Sequence, residues 1–253
     1  MPSISRAKRL RSLQRARGRR EHGRLIAEGP NVVRDVLASG CAIDEGLYTP
    51  AAALDPAVAA VLDDLRAAGV PLEEVSDAEF RGFAGTRSPR GILVVAAIPR
   101  RALTDVSGRR LAVLDAVQEP GNVGTLIRAA DALGASAVVT LPGTADPWSP
   151  KCVRAAAGAG FRLPVVESSV SELAEWCRSH GVRLLAAAAS GEPVPRAAGA
   201  RDAALVFGNE GAGVSDAVLA QCDGSVAIPQ RGPADSLNVA MAGAILMDRF
   251  FGG

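Results

Sequence analysis

The sequence predicts an α/β protein in two parts, a small α/β domain followed by a larger one built on a parallel sheet. Three observations carry this. Short apolar runs such as Leu111–Val117, Ala137–Leu141 and Ala204–Phe207 are too brief for helices and read as buried strands. Amphipathic stretches with their own start and stop residues lie between them, and strands separated by helices imply a parallel sheet covered on both faces. Between the halves, Pro99, Arg100, Arg101, Gly108, Arg109 and Arg110 have the composition of a linker. The expected domains are residues 1–100 and 109–253.

Taken in order, residues 6 to 24 hold Arg6, Lys8, Arg9, Arg11, Arg15, Arg17, Arg19, Arg20 and Arg24 against one acid, Glu21. The run reads either as a solvated, frayed helix or as a basic arm that neutralises phosphates, which guanidinium forks match in geometry. No aromatic interleaves it, so base stacking is not indicated. Arg24–Ile26 reads as a strand turning at Glu28-Gly29-Pro30, and Asn31–Ser39 as a helix with Val32, Val33, Val36 and Leu37 on one face, stopped by Gly40. A strand at Gly46–Thr49, a helix at Pro56–Ala68, a strand at Leu72–Val75, a helix at Asp77–Phe83 and a strand at Gly91–Ala97 complete the first half.

In the second half, helices are expected at Asn122–Leu133, Pro150–Ala159, Val170–Ser179 and Ser215–Gln221. The first of these turns Val123, Leu126, Ile127, Ala130 and Leu133 inward. Further strands are expected at Val165–Val166, Val182–Ala188 and Val226–Ile228. A last helix starts with Asp235 or Ser236 as N-cap and places Leu237, Met241, Ala244, Ile245 and Asp248 on one stripe.

Composition narrows the function. The chain has 253 residues, 48% of them hydrophobic, and a net charge of +1, with no run of eighteen apolar residues to cross a membrane. Its basic N-terminus lacks an apolar h-region, so a cytoplasmic protein is expected. Cys41, Cys152, Cys177 and Cys222 are scattered without a CxxC, beside only His22 and His180. Reduced structural thiols are therefore expected rather than a metal site, and a Ser-His or Cys-His catalytic pair is poorly supported.

The chemistry concentrates at three loops. Leu205–Gly213 (LVFGNEGAG) ends a strand in glycines, which permit positive φ and close backbone approach. Ile228–Ala240 (IPQRGPADSLNVA) repeats the arrangement with Pro229, Gly232 and Pro233. Glycine and uncharged polar groups at both tips suit a neutral or cationic small molecule with many hydrogen-bonding edges. The third stretch, EPGNVGTLIR at 119–128, follows a strand and opens a helix, so amide groups and the helix dipole face whatever lies there. It is not GxGxxG and no acid follows at the required distance, which disfavours a nucleotide-binding oxidoreductase. Arg128 stands three residues before Asp131, the spacing of a surface ion pair.

Together, NVGTLIR at 122–128, GNEGAGVS at 208–215 and IPQRGPADSLNVA at 228–240 resemble the three motifs of the SpoU/TrmH family of RNA 2′-O-ribose methyltransferases, in the SPOUT superfamily. The resemblance covers 111–253. More loosely, EGPNVV at 28–33 and SPRGILVV at 88–95 are similar to the ribosomal-protein-like RNA-binding domain that many members carry in front. Gln230 departs from the family, where methionine is common.

The resemblance implies a C-terminal trefoil knot, against the general rule that chains do not knot. It implies S-adenosyl-L-methionine held mainly by backbone groups around Gly208, Asn209, Gly211, Ile228 and Leu237, with no metal. It also implies a homodimer through the knotted domain, and Asn122, Arg128, Glu210, Ser236 and Asn238 as the catalytic set. A ribose hydroxyl is a weak nucleophile that must be aligned and relieved of its proton. Because a guanidinium stays protonated, Arg128 is expected to bind the adjacent phosphate and stabilise the alkoxide, the proton leaving to Glu210 or water. The expected substrate is structured RNA, a 23S ribosomal RNA nucleotide ahead of a tRNA. A catalytically silent RNA-binding protein is the remaining alternative, against which the intact polar set argues.

Overall fold

The computed structural model describes residues 4–85, 89–195, 201–230, 232 and 236–252. Its chain divides into two compact units, Met1–Pro99 with Trp148–Arg162, and Arg100–Pro147 with Leu163–Gly253. The segment Trp148–Arg162, expected in the C-terminal part, thus belongs to the first unit.

The first unit opens with α1 (Ile4–Leu13), α2 (Ala16–His22), β1 (Arg24–Glu28), α3 (Pro30–Ala38) and β2 (Ile43–Tyr48). It continues with α4 (Pro50–Ala53), α5 (Pro56–Ala67), β3 (Leu72–Glu74), α6 (Asp77–Arg81) and β4 (Ile92–Ala97). Local chemistry sets the helix starts. Asp55 accepts from the Ala57 amide at 2.8 Å ahead of Pro56, and Ser76 and Glu79 form a reciprocal capping box. The sheet order is β1-β4-β2-β3, with β4 antiparallel to both neighbours and β2 parallel to β3.

The basic run forms two helices that pack on the unit on one side and leave the rest of their cations to solvent. α1 buries Leu10 and Leu13 against Ile26, Leu47, Phe80 and Leu93. Arg6 pairs with Glu45 and Glu73, Arg9 with Glu45, and Arg24 with Asp44 at 2.9 Å. Arg19 is buried and donates from Nη1 to the Leu13 carbonyl at 2.9 Å. Lys8, Arg11, Arg15, Arg17 and Arg20 remain exposed.

The second unit begins with β5 (Arg110–Leu114), α7 (Pro120–Ala132) and β6 (Ala137–Thr140). Two short helices of the first unit intervene, α8 (Pro150–Ala155) and α9 (Ala159–Arg162). A single helix was expected there; Ala157 and Gly158 take φ of 48° and 81°, which no continuous right-handed helix accommodates. The second unit resumes with β7 (Val165–Glu167), α10 (Val170–His180), β8 (Arg183–Pro193), β9 (Ala203–Phe207), α11 (Asp216–Leu219), β10 (Gly224–Ala227) and α12 (Val239–Phe251).

All six strands of this sheet run parallel, in the order β10-β8-β9-β5-β6-β7. β9 is buried along its whole length, as a strand covered on both faces must be. β8 runs five residues further than expected and shifts register against β10 between Ser225 and Val226. At Gly191 a Cβ would lie 2.6 Å from the Val226 backbone, so only glycine fits that approach.

The last helix also departs from expectation. It starts at Val239 with Asn238 as cap, not Ser236; Asp235, the other candidate, and Pro233 lie outside the described residues. Its buried face is Ala240, Gly243, Leu246, Met247, Phe250 and Phe251. The stripe through Met241, Ala244, Ile245 and Asp248 therefore turns outward, with Met241 58% exposed.

Candidate active site

In a parallel sheet the loops that follow the strands gather at one edge, where ligands bind. Here β5, β9 and β10 deliver all three glycine-rich stretches to that edge.

The loop after β9 folds back on itself. At buried Gly208 a Cβ would stand 2.2 Å from the Gly213 carbonyl carbon and the Val214 nitrogen, so this position admits no side chain. Asn209 and Gly213 exchange both backbone hydrogen bonds at 2.9 Å, with Gly213 at a φ of 75°. The Asn209 Oδ1 accepts from the amides of Gly211 at 2.9 Å and Ala212 at 3.0 Å. Its Nδ2 donates to the Ala116 carbonyl at 3.0 Å. The Asn209 side chain is thereby committed to shaping the loop.

A single hydrogen-bonded chain joins the three stretches. Asn238 caps α12, its Oδ1 accepting from the amides of Ala240 at 2.9 Å and Met241 at 3.4 Å. Its Nδ2 donates to Asn122 Oδ1 at 3.1 Å. Asn122 Nδ2 in turn donates to Glu210 Oε1 at 2.9 Å. Glu210 also accepts from the amides of Gln118 and Glu119, each at 3.2 Å, at the entry to α7. α7 and α12 pack closely enough to hold this register: at Gly243 a Cβ would stand 2.2 Å from Leu126 Cδ2.

Electrostatics follow from these bonds. Desolvation pushes the Glu210 carboxyl up, but hydrogen bonds from Asn122, its own amide, Gln118 and Glu119 outweigh it and leave the group below the usual carboxylate range. Such a carboxylate is a weak proton acceptor. Arg128 is exposed on α7 and forms no ion pair with Asp131 or any other described residue. Ser236 is exposed two residues before the Asn238 cap, while Ile228 and Leu237 are half-buried. The structure thus brings Asn122, Glu210 and Asn238 into direct contact and leaves Arg128 and Ser236 unengaged among the described residues. Sequence reasoning missed Asp115 and Gly243. The first carried the signal of an acid at a strand end; the second had none beyond being a glycine within a helix.

Residues 109–248 match the SpoU rRNA Methylase family, and residues 5–94 match the MRM3-like substrate binding domain. The chain is 35% identical over 223 residues to the 23S rRNA (guanosine(2553)-2′-O)-methyltransferase RlmP of Bacillus subtilis, covering 88% of this chain and 86% of that protein. The chain belongs to the SpoU rRNA methylase family. It is an S-adenosylmethionine-dependent RNA ribose methyltransferase.

Two solved relatives extend the likeness across both units. An AdoMet-bound rRNA methyltransferase from Sinorhizobium meliloti superposes with a TM-score of 0.85 at 30% identity, covering 98% of this chain and 95% of that one. The SpoU methyltransferase AviRb from Streptomyces viridochromogenes, in complex with AdoMet, gives 0.85 at 25% identity, covering 97% and 96%. The site of this SpoU methylase fits such a cofactor. The glycine-shaped loop leaves open space around Gly213, and Ile228 and Leu237 offer partly exposed apolar surface for a flat base. The four cysteines form no disulfide; burial pushes Cys177 up to about 12 and Cys222 up to about 11, so both are thiols at neutral pH.

Proposed function

We propose that this SpoU methylase modifies a ribose 2′-hydroxyl of 23S ribosomal RNA, with the Asn238–Asn122–Glu210 chain as the scaffold of its active site. That chain is the observation that carries the reading, because it locks three otherwise separate loops into one arrangement. The loop Gly208–Gly213 and the flanks at Ile228 and Leu237 hold the cofactor, whose sulfonium supplies an electrophilic methyl group. Arg128, exposed on α7, takes the phosphate next to the target ribose and stabilises the developing alkoxide; its planar fork suits both tasks. Ser236 orients the ribose. Glu210, with its lone pairs occupied, positions Asn122 and the α7 entry rather than taking the proton, which leaves to water.

The relative named as a 23S rRNA methyltransferase supports the choice of RNA. The outward stripe of α12, with exposed Met241, supports a homodimer through this unit. The resemblance of the three motifs to the SpoU/TrmH family is what supports a knotted path. Mapping ribose methylation across total RNA from cells with and without the protein tests the assignment. Loss of one methyl group from 23S RNA is the expected result; loss from a tRNA alone would move the substrate to that class.

A further inference from the structure

Asp115, at the end of β5, is 4% exposed. Its backbone N–H donates to the Phe207 carbonyl at 2.9 Å, and its Oδ2 accepts from the Ser215 amide at 2.7 Å. No cation among the described residues pairs with it. Ser215 is the N-cap of α11, a helix with no side-chain cap of its own. Asp115 therefore supplies, from a neighbouring strand, the acceptor for the N-cap amide that a capping box takes from within its helix. The next residue, Ala116, holds a φ of 54°, and its carbonyl accepts from Asn209 Nδ2. Two consecutive residues thus grip both ends of the loop, Ala116 at Asn209 and Asp115 at Ser215.

We propose that Asp115 is a positioning residue for the cofactor loop. Its buried carboxylate fixes the far end of Gly208–Ser215 so that the loop amides stand preformed for S-adenosylmethionine. A carboxylate taken out of water against a single amide is a poor device for stability, since apolar replacements of buried charges are often neutral or better. Direction is what the group supplies. The inference rests on reading Gly208–Ser215 as the cofactor loop.

The test uses the full chain as wild type, Asp115→Ala, Asp115→Asn and Ser215→Pro. Ser215 has a φ of −67°, which proline adopts, so the last variant deletes the donor and sets the ring Cδ against Asp115 Oδ2, breaking the tie from the other side. Calorimetry with S-adenosylhomocysteine and steady-state kinetics are read beside RNA affinity. Asp115→Ala and Ser215→Pro should each weaken the homologue roughly 10- to 100-fold, the range for a lost hydrogen bond to a charged group. The KM for S-adenosylmethionine should rise in step, with kcat and RNA affinity little changed. Asp115→Asn, which keeps an acceptor oxygen of the same reach, should recover most of the loss. Wild-type affinity in Ser215→Pro, or a loss in Asp115→Asn equal to that in Asp115→Ala, would overturn the positioning role. Failure of the wild type to bind the homologue would instead overturn the cofactor-loop reading itself.

Discussion

In the proposed mechanism Arg128, unpaired among the described residues, contacts the RNA, while Glu210 is fixed by its hydrogen bonds. Because Arg128 is exposed and unpaired among the described residues, Arg128→Ala should leave thermal stability and S-adenosylhomocysteine affinity near wild type. Its loss should fall on the transition state, lowering kcat by roughly 10²–10³-fold, as removal of one preorganised donor does. Arg128→Lys keeps the charge but not the fork and should stay impaired. Single-turnover methyl transfer to a 23S RNA fragment measures this, and near-wild-type rates in Arg128→Ala would remove the residue from the chemistry. For Glu210 the pKa shift is opposite to that of a carboxylate tuned as a general base. Its folded pKa lies below the ordinary range, so its contribution is complete above that range and is lost as pH falls through the lower, folded value. Homologue affinity should therefore hold from neutrality to about pH 5, since an unperturbed glutamate titrates near 4.3, and decline only in stronger acid. Glu210→Gln should weaken it at pH 7 as well, because an amide nitrogen would face donors from Gln118, Glu119 and Asn122. Calorimetry across pH decides both.

Among the elements, α1 and α2 separate cations that stabilise the fold from cations available to a ligand. Arg6, Arg9 and Arg24 face carboxylates, and Arg19 is buried on a backbone carbonyl. Arg19→Ala should lower the melting temperature, consistent with about 1–3 kcal/mol for losing a charged donor to a buried acceptor. Lys8, Arg15, Arg17 and Arg20 are exposed, and replacing all four by alanine should leave melting unchanged while flattening the salt dependence of RNA binding. An unchanged slope in filter binding across a salt series would show that this surface does not meet RNA. The β9 loop makes the complementary case. Gly208→Ala places a methyl on the Gly213–Val214 backbone, which cannot yield as a flexible side chain can, so cofactor binding should fall with the loop.

For the molecule as a whole, the outward stripe of α12 bears on assembly. Exposed Met241 and partly buried Ile245 lie on the helix face opposite its buried one, and a self-complementary patch closes most simply as a twofold dimer. Light scattering at micromolar concentration should return twice the chain mass, and Met241→Glu should shift it to one chain without lowering secondary structure content. A monomeric wild type would refute the dimer.

The sequence by itself determined the succession of strands and the class of fold, because apolar periodicity, helix caps and glycine stops are local and survive tertiary context. It also set out the three stretches that make the site, since NVGTLIR, GNEGAGVS and SLN carry side chains and backbone freedoms that ordinary connections do not need. Boundaries were legible to within a few residues, as at α5 and β9. What only the tertiary structure decided concerns partners distant in sequence. That Glu210 spends its oxygens on residues about ninety positions earlier, and that Asn238 reaches Asn122 across 116 positions, follows from strand order and helix packing, which no local pattern encodes. The same holds for the outward turn of the α12 stripe, for Phe250 falling in the core, and for the arginines of α1 and α2. Periodicity shows which residues share a face; only the packed neighbours decide which face is buried and which charges are already answered.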